Sequence, residues 1–182
     1  MMDAEEFSNR DQLREMLEAN TKIPARLVES LMSSDDREEN ADAYYCLSQL
    51  WKRIQPEMEV WFTAPFVFDF LIRSITEPYE NADFNSNALG SYEAARDLLG
   101  ILVGWFHHPQ GETMIADLIK RIDRAFLAGD ESIQLCIETG FLEHALEYPQ
   151  LRPLFAHWSD HPEMRDAHTH ALEWGLAHEH TQ

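Results

Sequence analysis

Seven of the nine histidines fall between His144 and His180, a density that raises the question of a metal centre. Zinc needs three or four ligands converging on one point, commonly at fixed helical spacings such as H-E-x-x-H. His157 and His161 are four apart, but Asp160, Pro162 and Glu163 place a helix start between them. His168 and His170 project about 200° apart on a helix at 3.6 residues per turn. His178 and His180 fall in a tail, 178–182, expected to fray. These histidines read as helix-face and tail residues, with a metal-dependent enzyme as the alternative. Paired carboxylates are the second option, because Glu138, Glu143 and Glu147 surround His144. Catalytic carboxylates need a shielded pocket that perturbs their proton affinity, and Glu143 and Glu147 sit on a helix face that reads as solvated. Glu-x-x-His, the repeat of di-iron bundles, does not occur.

Other chemistry is absent from the pattern. The seven glycines are scattered, so no cluster can cradle phosphate, and no nucleophile elbow or dinucleotide fingerprint is present. Cys46 and Cys136 each lie inside an apolar helical pattern and read as buried thiols of a reducing compartment. No catalytic residue, metal or cofactor is assigned, and the chain is not read as an enzyme.

A protein-binding face is the third option. Asp35, Asp36, Glu38 and Glu39 open a helix within five residues, and Tyr44 and Tyr45 follow. Two adjacent tyrosines cannot both point inward. Acids beside an exposed aromatic suit a partner rich in lysine and arginine, since charge steers approach and the aromatic anchors the docked state. Tyr79, in an acidic stretch, is a further contact candidate. The balance of 14 basic against 33 acidic residues gives a net charge of −19, and every third of the chain is net negative. No basic patch can gather phosphates, so nucleic acid and anionic membranes are disfavoured and a basic protein partner is the natural counterpart.

The elements that must position these residues are helical. With 45% hydrophobic residues, 182 residues can bury a sizeable core. The organising stretch is Thr63–Ile75, apolar nearly all round, which predicts a central helix enclosed by its neighbours. Asp69 and Arg73 are its only charges, four apart and able to pair. Before it, Ser8 caps a first helix, Ile23-Pro24 opens a second, and the acidic run opens a third that Pro56 stops. A short segment with Val60, Trp61 and Phe62 leads into the central helix. Residues 77–90 lack periodicity and form a loop that could divide the chain. Ser91 caps the next helix, in which Gly100 and Gly104 lie one turn apart and would admit a close neighbour. A helix near Glu112–Leu127 follows, then one capped by Asp130 and interrupted at Thr139-Gly140. Asp160-x-x-Glu163 reads as the capping box of the last helix. No strand is predicted.

The expectation is a single all-α domain over residues 1–182, a bundle of about eight helices. HEAT-like helix pairs are an option in the C-terminal half. The longest apolar-plus-glycine run, Leu98–Phe106, is too short to span a bilayer, and MMDAEEFSNRD lacks the order of a signal peptide, so a cytoplasmic protein is expected.

Between Cys136 and Gly175 the segments CIETGFLEHALE, LRPLFAHWSDHPEMRDA and ALEWG resemble small helical bacterial proteins, some of them similar to immunity proteins of contact-dependent or secreted toxin systems. Thr139, Gly140, Trp158 and Pro162 carry most of the resemblance. It implies a cytosolic antidote that occupies a toxin's active site or blocks its assembly. A binding protein that neutralises a basic partner, such as a toxin domain, is therefore the leading expectation. A helical scaffold with a small-molecule pocket beside the aromatic central helix is the remaining alternative.

Overall fold

A computed structural model describes residues 8–77 and 87–179. The fold is all-α, with nine α-helices among the described residues. Residues cluster into two compact units. Among the described residues, the first takes 8–70 with 87–88, and the second takes 71–77 with 89–179.

The first unit is built on α1 (Asn9–Glu18), α2 (Ala25–Met32) and α3 (Arg37–Gln49), which pack pairwise. Ser8 starts α1, its hydroxyl accepting the Asp11 amide at 3.2 Å. Asp36 starts α3 by accepting from the Glu38 amide at 2.8 Å. Helix ends carry unsatisfied carbonyls, and here side chains from elsewhere satisfy them. Asn40 Nδ2 donates to the carbonyls of Leu31 and Ser34, both at 3.0 Å, tying α3 to the end of α2. Arg53 donates to the carbonyl of Met16, in the last turn of α1, and to that of Thr21 beyond it. Leu13, Ile23, Leu27, Val28, Leu31, Cys46, Leu47 and Ile54 form the core.

Two strands were not anticipated: β1 (Ile23–Pro24) pairs in parallel with β2 (Ile54–Gln55). Two residues each are too few to show alternation, which is why the pattern was silent. The long apolar helix, α4, begins earlier than read, at Val60, and runs to Thr76. It contributes residues through Phe70 to the first unit and Leu71 onward to the second. Phe68, Phe70, Leu71 and Ile75 are buried, but Pro65 and Asp69 are exposed and Phe66, Val67 and Ile72 only half-buried, so burial follows one stripe and the helix is not enclosed all round as expected. Arg73 bonds to Glu77 at 2.9 Å, one turn further on.

In the second unit, α5 (Ser91–Phe106) and α6 (Gly111–Ala128) pack together, and α7 (Glu131–Ile137) follows from an Asp130 cap. Asp130 accepts from the amides of Ile133 and Ser132, and these bonds hold its carboxyl below the usual range. Ser91 does not cap α5. Gly90 occupies the cap position, and its amide donates to Glu93 at 3.1 Å. The expected interruption at Thr139-Gly140 is a π-helical turn, Glu138–Leu142, through which the chain continues without a break into α8 (Glu143–Leu146). A 3₁₀ helix, Arg152–Asp160, precedes α9 (Arg165–Ala177). The expected capping box at Asp160 and Glu163 does not form, because 3₁₀ turns consume Asp160 and the cap position of α9 is Met164.

Gly100 and Gly104 are not close-approach sites: nothing lies within 4 Å of a Cβ built on either. That role falls to Gly140 and Gly175. A Cβ on Gly140 would lie 2.9 Å from the Tyr92 ring of α5, and one on Gly175 would lie 2.6 Å from the Leu146 carbonyl group of α8. The membrane question has a direct answer. No helix among the described residues is long and apolar enough to cross a bilayer.

Candidate functional site

Of the acids singled out at the start of α3, Asp35, Asp36 and Glu38 are exposed, and two of them also make contacts within the fold. Asp36 is engaged as the α3 cap. Glu38 pairs with Arg10, which also donates to Asp42 at 2.9 Å. Burial opposes the Arg10 cation, but Asp42 and Glu38 more than offset it, and its pKa rises. Asp42 is filled on its other oxygen by Asn87 Nδ2 at 2.8 Å. Glu39 is half-buried.

The tyrosine pair divides as adjacent helical residues must. Tyr44 is buried at 6% exposure and stacks on Phe70, with ring centroids 4.7 Å apart, so it is a core residue and no docking anchor. Tyr45 is half-buried. Tyr79 lies outside the described residues.

The exposed aromatics of the first unit are elsewhere, at the first turn of α4. Val60, Trp61 and Phe62 are 43%, 42% and 58% exposed. Three consecutive helical residues sweep about 200°, so they cannot all be buried against one neighbour. Glu57 and Glu59 accompany them: Trp61 Nε1 donates to Glu59 at 2.8 Å, and Trp51 Nε1 donates to Glu57 at 3.3 Å. Trp51, Ile54, Pro56 and Glu57 also line a concavity of about 550 Å³. The first turn of α4 thus exposes one indole and one phenyl ring, with the Glu59 carboxylate bonded to the indole. Apolar type alone had assigned Val60–Phe62 to the approach of a buried helix. The usable signal was the placement of Trp61 and Phe62 side by side directly after the acids Glu57 and Glu59.

In the second unit the histidines are dispersed among carboxylates. His144 Nδ1 lies 2.7 Å from Glu147 Oε1, which also accepts the Trp174 indole N–H at 3.0 Å. His178 stacks on Trp174 at 4.0 Å, and His170 lies 3.3 Å from Glu138. Burial, reinforced by Glu138 and Glu147 and opposed by His144, raises the Glu143 pKa. His168 departs from the exposed-histidine reading. It is 9% exposed, and burial, with His157 nearby, lowers its pKa. His157 Nε2 bonds to Asp123 at 3.0 Å, and Asp123 also accepts the Trp158 indole N–H at 2.7 Å.

His144, His157, His170 and His178 thus have separate partners, and no three His, Cys, Asp or Glu side chains among the described residues are placed to hold a metal ion. Both cysteines are free and buried, with burial pushing Cys46 up to about 12 and Cys136 up to about 11. Thiols with so little thiolate are poor nucleophiles. Compared with known proteins, the chain matches no family model, no curated protein and no solved structure.

Proposed function

We propose that this chain is a protein-binding module that neutralises a basic cognate protein, in the manner of an immunity protein blocking a toxin domain. The observation that carries the reading is the exposure of Trp61 and Phe62 beside Glu57 and Glu59. Trp is enriched among residues that dominate interface energetics, and acids around it reject acidic surfaces while favouring lysine- and arginine-rich ones. A net charge of −19 supplies a long-range field that draws a cationic partner in. An interface of standard size, about 1,600 Å² in total, would extend well beyond this patch.

Capture from native cells tests the proposal. The full chain is expected to retain a basic protein, and co-expression of the chain is expected to restore growth to cells making that protein. Retention of a basic protein without rescue would keep the binding module and remove the antidote role. Retention of acidic proteins only would remove both.

A further inference from the structure

A groove of about 670 Å³ lies in the second unit, lined by the end of α5, one side of α6 and the 3₁₀ helix. That volume falls within the range of small-molecule sites, which combine an apolar lining with a few placed polar groups. Along α6 the lining runs Glu112, Ile115, Ala116, Ile119, Lys120 and Asp123, one helical stripe with an acid at each end. Leu154 adds to its apolar middle from the 3₁₀ helix.

The two ends differ in charge. At the far end Asp123 and Lys120 lie three residues apart on α6, so their charges offset in sum. Asp123 also accepts the Trp158 indole N–H at 2.7 Å and bonds to His157 Nε2 at 3.0 Å. At the near end Glu112 is exposed, and its side chain makes no hydrogen bond or ion pair among the described residues. The nearest cation on α6 is Lys120, eight residues and about 12 Å along the axis. The C-terminus of α5 and the N-terminus of α6 meet here, so their opposite dipole ends offset. His108, in the turn between them, accepts the Gln110 amide through Nδ1 at 3.2 Å, a bond open only to the neutral ring. Phe106 and Pro109 line this end without charge. The Glu112 carboxylate is therefore the uncompensated charge among the residues lining the near end, and it borders the apolar stripe.

We propose that this groove binds a small apolar monoamine. Its ammonium pairs with Glu112, and its alkyl or aryl body lies along Ile115, Ile119 and Leu154. A carboxylate in the same pose meets the repulsion of Glu112, and an alcohol brings no charge to pair with it. The site uses no residue of the Trp61 and Phe62 surface, so either reading can fail alone.

The test is titration of the full chain with octylamine below its micelle concentration, read by methyl chemical shifts and calorimetry, with octanol and octanoate as companions. Octylamine is expected to bind saturably with one-to-one stoichiometry, shifting the Ile115, Ile119 and Leu154 methyls. Octanol and octanoate are expected to bind at least tenfold more weakly. Glu112→Gln, at an exposed position, is expected to weaken octylamine about tenfold and leave octanol unchanged. Glu163→Gln removes an exposed acid outside the groove and separates the site from the general negative field. It is expected to leave octylamine affinity as it was. Non-saturating shifts, tighter binding of octanoate, unchanged octylamine affinity in Glu112→Gln, or an equal loss in Glu163→Gln would each overturn the assignment.

Discussion

At the scale of single residues, the environment of each titratable group decides its behaviour more than its type does. His168 is the clearest case. Burial lowers its folded-state pKa, whereas in the unfolded chain it titrates near 6.5. Between those two values the unfolded chain binds more protons, so stability rises with pH across that window. The contribution of neutral His168 is therefore complete above about pH 6.5 and is lost as pH falls through its lowered folded value. We predict that His168→Asn unfolds with a flatter pH dependence between pH 7 and 5 than the parent chain, measured by thermal melts. Parallel slopes for the two would contradict the burial argument. Glu143 runs the other way. Its pKa is raised, so its contribution is present at acidic pH and declines as the carboxyl ionises.

At the scale of elements, the glycines separate sequence spacing from real proximity. Gly100 and Gly104 share the one-turn spacing of packed helices, yet a Cβ on either meets nothing within 4 Å. Alanine there should add helix propensity without a clash. Gly104→Ala is expected to stabilise by about 0.5–1 kcal/mol, or roughly 1–4 °C in Tm. Gly175→Ala places a methyl 2.6 Å from the Leu146 backbone and is expected to destabilise by about 1–3 kcal/mol, through displacement of α9 from α8. Equal melting temperatures for the two variants would contradict this assignment of packing.

Helical periodicity made most elements legible, along with the Ser8 and Asp130 caps and the long apolar α4. The π turn at Glu138–Leu142 was not legible, because one wider turn leaves the apolar pattern nearly intact and Thr139-Gly140 looks like a stop. The last capping box was misleading because Asp160 and Glu163 have the right types, but the preceding residues fold into 3₁₀ turns. The acidic start of α3 was correctly placed in sequence, but Arg10, forming its pair with Glu38 from α1, could not be read from local spacing. Trp61 and Phe62 were missed because apolar residues were assumed to be inside. That rule runs one way only, and large exposed apolar groups are the informative exceptions.

At the scale of the whole molecule, the proposed function joins a net charge of −19 to the exposed Trp61 and Phe62, which would anchor a basic protein. Charge and aromatic contact have separable signatures. Long-range attraction weakens once salt shortens the Debye length to about 10 Å or less, and this is felt mainly in the association rate. Loss of an anchor is felt mainly in dissociation. The most direct measurement is therefore the Kd of the captured basic partner for the parent chain and for Trp61→Ala/Phe62→Ala. Leu176→Ala, an exposed apolar residue at 58% exposure on α9, serves as control. The account predicts that the double variant loses about 2 kcal/mol or more, close to thirtyfold in Kd, through faster dissociation with helical content retained. It predicts little change for Leu176→Ala. Undiminished affinity in Trp61→Ala/Phe62→Ala, or an equal loss in the control, would contradict it.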